Sequence, residues 1–526
     1  VQNSLQRTLS LIKQHNVHAT FSGITKGIEK ESLRITNDGR LAQTPHPTAL
    51  GSALTHPSIT TDYSEALLEF ITPTYTDTPQ LLNHLDKIHR YTFESMGEEK
   101  LWVNSMPCAL ESELDIPIAE YGSSNIGQMK HVYRHGLWHR YGRRMQTIAG
   151  IHYNVSMPTT FWQEYQKALG NHDPLQDFIS THYFKLIRNF HRYVGLLIYV
   201  FGASPAICRC FLKDREHHLE DYDESTLYLP YGTSLRMGDF GYQNDAQADL
   251  NISYSSLDEY VADLGHAIHT PHAPYQAISD AEHDCLPQLN GNILQIENEY
   301  YSSIRPKRTA HSGERPTRAL ADRGVEYIEM RCLDLNPFEP LGINEESILF
   351  LDVFATFCLL ESSPSISASE KSRLDHNRNL IINEGRKPGL MLQESNGDIA
   401  FTDWGNQLIE KLSSVALLLD EANQTDAYSK SVASQQAKIN DASLTPSAQI
   451  LSTLKTDHGT FYDFAMNKAQ AHKQYFKTPP LNEEDAVHFK AQATKSLEQQ
   501  HEIEVSDTLS FDQYLSNYFS DASQCE

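Results

Sequence analysis

The sequence predicts an α+β fold, and two observations carry the prediction. Residues 1–345 are dense in Gly, Pro and aromatic residues and hold several short segments in which apolar and polar side chains alternate, the period of a half-buried strand. From about residue 346 the chain becomes rich in Leu, Ala, Ser and Gln, with apolar residues at helical spacing, as in Leu408, Ile409, Leu412, Val415, Leu418 and Leu419. Strands gathered ahead of helices, rather than alternating with them, favour antiparallel pairing with helices packed outside. No repeat or long linker intervenes. A sheet-rich catalytic region 1–345 and a mostly helical region 346–526 are therefore expected to form one continuous unit.

Along the chain, the first element is an amphipathic helix with Leu5, Leu9 and Ile12 on one side. It lacks the apolar stretch and small-residue cleavage site of a secretory leader. GIEKESL (27–33) places Glu29, Glu31 and Leu33 on one strand face, and EALLEFI (65–71) does the same for Glu65, Leu67, Glu69 and Ile71. Ile126, Met129, Tyr133, Leu137 and Tyr141 form the buried stripe of a helix. GIHYNVSM (150–157) points Ile151, Tyr153, Val155 and Met157 one way and His152, Asn154 and Ser156 the other. The apolar run from Val194 to Cys208 is shorter than the ~20 residues of a membrane span and reads as a core helix. VEYIEMR (325–331) aligns Tyr327, Glu329 and Arg331.

Composition limits the partners. The 526 residues include 43 Lys and Arg against 68 Asp and Glu, a formal charge of −25. Such an excess of acid disfavours nucleic acid and anionic membranes as partners. The seven cysteines are odd in number, widely spaced and contain no CxxC pair, which disfavours a zinc site or a disulfide framework. Cys208 and Cys210 read as reduced thiols beside a buried helix, and a reducing cytoplasm is the expected compartment.

Acidic residues inside apolar strand segments are the most informative feature. Glu29, Glu31, Asp62, Glu69 and Glu329 all lie in or beside strand candidates. Singly, each reads as part of a solvated sheet face. Together they offer hard oxygen ligands at strand spacing, since residues i and i+2 lie ~6.6 Å apart on one face. Two like charges 4 Å apart repel by roughly 4 kcal/mol at an effective dielectric near 20. Converging carboxylates therefore call for divalent cations, Mg²⁺ or Mn²⁺ by ligand type, with His152 as a single nitrogen ligand.

The basic residues form a counterpart. No acid occurs between Glu120 and Glu164, a stretch holding Lys130, Arg134, Arg140, Arg143 and Arg144. Arg305, Lys307, Arg308, Arg315 and Arg318 make a second cluster. Arginine forks suit phosphate and carboxylate, but solvated faces paired with surplus acid explain these residues equally well. His131, His135 and His139 share a helical face and read as surface imidazoles. There is no GxxxxGK[ST] loop, no Rossmann GxGxxG and no GxSxG elbow, so a bound nucleotide would depend on metal and arginines.

GIEKESLR (27–34), GSALTHPSITTDYSEALLEFITP (51–73) and IAGIHYNVSMP (148–158) resemble the proteobacterial glutamate–cysteine ligase family. So do FGASPAIC (201–208), TSLRMGDFGY (233–242), LQIENEYYSSIRPKR (294–308), GVEYIEMRCLDLNPF (324–338) and EGRKPGL (384–390). The likeness runs from about residue 20 to 395; beyond that only helical character is shared. The resemblance implies a glutamine-synthetase-like curved, mainly antiparallel sheet forming a funnel surrounded by helices. It implies ATP-dependent joining of the L-glutamate γ-carboxylate to the L-cysteine amine through γ-glutamyl phosphate, the first step of glutathione biosynthesis. By the same likeness, Glu29, Glu31, Asp62, Glu69, His152 and Glu329 hold Mg²⁺, and Arg236 and Arg331, with Glu69, are catalytic. Arg236 and Arg331 also contact glutamate and phosphate. Tyr133, Leu137, Tyr242 and Tyr301, with Tyr63 nearby, form the cysteine pocket, and Arg134 and Lys307 meet ATP phosphates. Glutathione feedback, and a monomer or small homo-oligomer, are further expectations. A related ligase with another amine acceptor and a non-catalytic amino-acid or nucleotide sensor are the alternatives.

Overall fold

The computed structural model describes residues 4–213, 215–240, 250–281, 286–311 and 313–520. Its strands are β1 (Thr25–Ile35), β2 (Ile59–Thr61), β3 (Leu67–Ile71), β4 (Lys100–Leu101), β5 (Ile151–Ser156), β6 (Ala206–Cys208), β7 (Glu220–Asp221), β8 (Thr226–Tyr228), β9 (Ile304–Lys307) and β10 (Tyr327–Leu333). Among the described residues, one sheet runs β2-β3-β1-β5-β10-β9, with β4 on the far end of β1. Every pairing in it is antiparallel. A smaller sheet has the order β6-β8-β7. The four segments with strand alternation all became strands of the large sheet, and the architecture is α+β as expected.

The two faces of the large sheet differ in chemistry. On the outer face, Ile28 and Tyr153 are buried against helices, and Tyr153 donates to Asp352 Oδ1 at 2.5 Å. Lys26 of β1 pairs with the same carboxylate, and both partners are sealed from solvent. Asp352 belongs to the helix Glu345–Leu360, which is buried on every side from Ile348 onward, as an all-round apolar helix must be. Asn344 caps its start, accepting from Ser347 N at 2.9 Å.

The flanking helices include α1 (Ser4–Gln14), α2 (Thr78–Ser95), α3 (Asn125–Tyr141), α4 (Thr159–Ala168) and α5 (Leu175–Phe201). Leu5, Leu9 and Ile12 of α1 are buried, as their spacing required. Leu408, Ile409, Leu412, Val415, Leu418 and Leu419 are likewise buried, on the helix Phe401–Asn423. The core helix expected over Val194–Cys208 is corrected: α5 ends at Phe201, and Ala206–Cys208 is a strand paired with β8. Pro205 cannot continue a helix, and Gly202 closes α5 by donating its N–H to Ile198 O. No helix among the described residues is long and apolar enough to cross a membrane.

The cysteine expectation is also corrected. Cys108 and Cys208, 100 residues apart, form a disulfide with their Cα atoms 5.2 Å apart. Spacing along the chain carries no sign of this, because the pairing depends on the loop after β4 folding against β6. Cys332 and Cys358 are buried free thiols, Cys210 is a half-buried one, and Cys285 and Cys525 lie outside the described residues.

Candidate active site

Strand register assembles the carboxylates. Glu31 faces Glu69 across β1 and β3, Glu29 faces His152 across β1 and β5, and Glu329 faces Asn154 across β10 and β5. Asp62 follows β2, its N–H bonded to Leu67 O at 3.0 Å. Because side chains two apart share a face, all six predicted ligands belong to the inner side of the sheet.

His152 is the centre of the group. Its Nδ1 donates to Glu29 Oε2 at 3.1 Å and lies 3.8 Å from Glu329 Oε1, while Nε2 is 3.8 Å from Glu31 Oε1. Asn154 Nδ2 donates to Glu29 Oε1 at 3.0 Å, and Gly150 N donates to Glu31 Oε2 at 2.7 Å. Donor atoms of Glu29, His152 and Glu329 fall within 4.8 Å of one another.

The electrostatics match the crowding. Burial, reinforced by Glu29, Asp62, Glu31 and Glu329, holds the Glu69 carboxyl well above its ordinary range. Burial also raises Glu31. Glu329 goes the other way: burial opposes its ionisation, but Lys307, Arg331 and His152 overcome that and hold it well below the usual carboxylate range. Lys307 Nζ lies 3.4 Å from Glu329 Oε1 and Arg331 Nε 3.8 Å from Oε2. His152 Nε2 and Glu329 Oε2 are buried with no hydrogen-bond partner. Unused buried lone pairs within a set of oxygen donors and one imidazole fit a hard divalent cation.

The cationic side is built on Arg236, which is 1% exposed. Asp334, just past β10, accepts from Ala203 N, Ser204 Oγ and Ser234 Oγ at 2.6–2.9 Å, and its Oδ1 lies 4.0 Å from Arg236 Nη1. Arg236 Nη2 donates to Arg331 O at 2.9 Å. Arg236, Arg331 and Tyr301 line one cavity of about 530 Å³, with Tyr254 and Tyr300 on its wall. Tyr63, Tyr133 and Leu137 do not line it. Tyr133 and Leu137 belong to α3, and burial pushes the Tyr133 phenol up. Tyr63 is buried, its hydroxyl without a partner. Arg134 donates Nε to Asp62 O and Nη1 to Lys130 O, its guanidinium 4.6 Å from the Tyr121 ring. Tyr242 lies outside the described residues.

Sequence reasoning passed over Asn154, Asp334 and Gly150. Asn154 had a signal, two residues beyond His152 on the polar face. Asp334 and Gly150 had none, since their roles depend on where Arg236 lands. Two residues of the basic clusters prove to be structural: Arg140 pairs with Glu299 at 2.9 Å and Arg315 with Glu297 at 2.8 Å, both buried, while Arg318 pairs with Asp322 at 2.7 Å on an exposed helix face. His131, His135 and His139 are half-buried rather than surface imidazoles, because α3 packs against the loops around it. Burial lowers His135 to about 4, and His131 Nδ1 donates to Ala119 O at 2.8 Å.

The family model described as glutamate–cysteine ligase matches residues 9–381. A glutamate–cysteine ligase of Alcanivorax borkumensis is 51% identical over 522 residues, covering 98% of this chain and 99% of the relative. One from Azotobacter vinelandii is 50% identical over 515 residues, covering 97% of each. Likeness therefore continues past residue 395, through the helices where only helical character was legible. The crystal structure of a Francisella tularensis glutamate–cysteine ligase in complex with AMP superposes with a TM-score of 0.90 at 36% identity, over 96% of this chain and 99% of the other. With the matched region spanning most of its length, this chain belongs to the glutamate–cysteine ligase family.

Proposed function

We propose that the inner face of the sheet is where this enzyme joins the γ-carboxylate of L-glutamate to the amine of L-cysteine at the expense of ATP. The observation that carries the placement is the convergence of Glu29, Glu31, Asp62, Glu69, Glu329 and His152 beside Lys307, Arg331 and Arg236. Held by those six residues, about two or three Mg²⁺ ions, or Mn²⁺, would supply the positive charge that lets a carboxylate meet a triphosphate.

The protein's own groups do the rest. Lys307, on β9 beside Glu329, and Arg134, beside Asp62, hold ATP phosphates from two sides. Arg236 and Arg331 hold the glutamate and orient its γ-carboxylate for in-line attack on the γ-phosphorus, giving γ-glutamyl phosphate and ADP. Asp334 keeps Arg236 in place for this, as a positioning residue. The neutral cysteine amine, seated by Tyr133, Leu137, Tyr242 and Tyr301 with Tyr63 nearby, then attacks the acyl carbon, the bond from that carbon to the phosphate oxygen breaks, and phosphate leaves with the proton the amine gives up. The same arginines stabilise the oxyanion formed on the way. Aromatic walls give a small thiol side chain sulfur–ring contacts worth ~0.3–1.5 kcal/mol.

The test is ADP release with glutamate, cysteine or Mg²⁺ omitted one at a time, and with 2-aminobutyrate or ammonia replacing cysteine. ADP production needs all three, and cysteine is the preferred amine. Phosphate release without any amine would overturn the reading. Positional isotope exchange in ATP with glutamate and Mg²⁺ alone checks the acyl phosphate.

A further inference from the structure

We propose that Cys210 is the exchange thiol of a three-cysteine site, through which the buried Cys108–Cys208 disulfide trades sulfur partners with small thiols. The sulfur atoms of Cys108, Cys208 and Cys210 lie within 4.8 Å of one another. Cys108 and Cys208 are 8% and 4% exposed, while Cys210 is half-buried. Cys210 follows β6 in the turn Arg209–Leu212, two residues beyond Cys208. One chain segment thus presents two sulfurs to Cys108, which comes from the loop after β4. Of the three residues, Cys210 is the least buried.

Thiol–disulfide exchange needs a thiolate that can reach a disulfide sulfur. A small thiol in solution meets a buried disulfide poorly, whereas Cys210 is already beside it. The Cys210 thiolate attacks Cys108 Sγ, the Cys108–Cys208 bond breaks, Cys208 leaves as a thiolate, and a Cys108–Cys210 disulfide forms. No net oxidation occurs in this step. A small thiolate then attacks Cys210 Sγ, forming a mixed disulfide there and releasing the Cys108 thiolate. A second small thiol attacks the external sulfur of that mixed disulfide, Cys210 leaves, and the two small thiols depart as their own disulfide. Two electrons and two protons have passed from the small thiols to Cys108 and Cys208. Cysteine itself has the required chemistry.

The site is separate from the carboxylate cluster, yet its supports are shared with the cavity. Ser105, three residues before Cys108, accepts from Leu335 N at 2.8 Å, and its carbonyl accepts from Ala149 N at 3.0 Å. Ser204, four residues before Cys208, donates to the Asp334 carboxylate beside Arg236.

The experiment uses the full-length oxidised protein and its Cys210→Ser and Cys210→Ala variants. Each is incubated with free cysteine under native conditions, quenched in acid, alkylated and mapped by mass spectrometry. The wild type is expected to yield a Cys108–Cys210 peptide and a cysteine adduct on Cys210. It should lose the Cys108–Cys208 link at least about tenfold faster than either variant. Equal rates in all three proteins would overturn the proposal, as would adducts confined to Cys108 or Cys208. Free alkylation of Cys108 and Cys208 after treatment with oxidised glutathione would overturn it too. The readout is independent of ligase activity, so this outcome and that of the functional reading are distinguishable.

Discussion

Gly150 lies directly against the guanidinium of Arg236: a Cβ built on the glycine would fall among Nη2, Cζ and Nε of that side chain. The residue immediately precedes β5, donates its N–H to Glu31 Oε2, and leaves space that Arg236 occupies on its way to the cavity. One glycine thus serves both the carboxylate cluster and the cationic side. Gly150→Ala is expected to displace Arg236 at an overpacking cost of ~1–3 kcal/mol. The expected result is a folded enzyme with at least about a tenfold loss in kcat/KM for glutamate. Steady-state kinetics with thermal melting checks both parts, and unchanged kinetics would remove Arg236 from the glutamate site.

Glu69 carries a second prediction, in which stability and activity move apart. Its carboxyl is raised by burial and by four acidic neighbours, so the metal-free cluster is a strained arrangement of like charges. Glu69→Gln removes a carboxyl whose ionisation the metal-free cluster opposes, and is expected to leave the metal-free protein at least as stable as wild type. Turnover should fall by roughly a hundredfold or more, and the rise in melting temperature on adding Mg²⁺ should shrink. Differential scanning fluorimetry with and without Mg²⁺, beside the ADP assay, reads all three. A variant with near-normal turnover would sink the shared-metal proposal.

Much of this cluster was legible in the sequence for a specific reason. A carboxylate alternating with buried apolar residues in a strand has only two fates, and period-2 spacing fixes which residues share a face. Glu29, Glu31, His152 and Glu329 could therefore be grouped before their register was known. Family likeness added Arg236, whose segment has no strand periodicity, and gave a role to Arg331, which strand spacing had already aligned with Glu329. The disulfide, the Asp334 support and the internal ion pairs of Arg140 and Arg315 stayed hidden, because each joins segments whose proximity is set by loops. The end of α5 was misread because Val194–Cys208 is mostly apolar on both sides of Gly202, Ser204 and Pro205, and hydrophobicity alone does not separate a helix end from the buried strand after it.

Acid sensitivity follows from buried imidazoles away from the site. Burial lowers His46 to about 3 and His56, His182 and His472 to about 4, from an ordinary value of 6.5. Between those values the unfolded chain binds protons that the folded chain does not. Their contribution to stability is therefore complete above pH 6.5 and is lost as pH falls toward 4. Urea midpoints are expected to drop sharply between pH 7.5 and pH 5. His182 sits in α5 with Nδ1 donating to Phe178 O at 2.8 Å, a bond a glutamine amide can replace. His182→Gln should narrow the gap between the two midpoints, and a gap unchanged from wild type would rule out this residue as a contributor.

The last helix, Phe511–Ser520, covers the face of α3 that carries Tyr133. Phe511, Tyr514, Leu515, Tyr518 and Phe519 pack against Met129, Val132, Tyr133, Leu289 and Ile296. Just before it, Asp507 accepts from Asn125 N at the start of α3, and Leu509 O accepts from Asn125 Nδ2 at 3.1 Å. This helix thus holds α3 in place, and among the described residues it contributes none to the 530 Å³ cavity. Ending the chain after Asp507 keeps the first contact and removes the apolar cover. If Tyr133 and Leu137 seat cysteine, the KM for cysteine should rise several-fold while that for glutamate changes less. Equal changes in both constants, or a fall in kcat alone, would mean that α3 serves the whole site rather than the acceptor pocket.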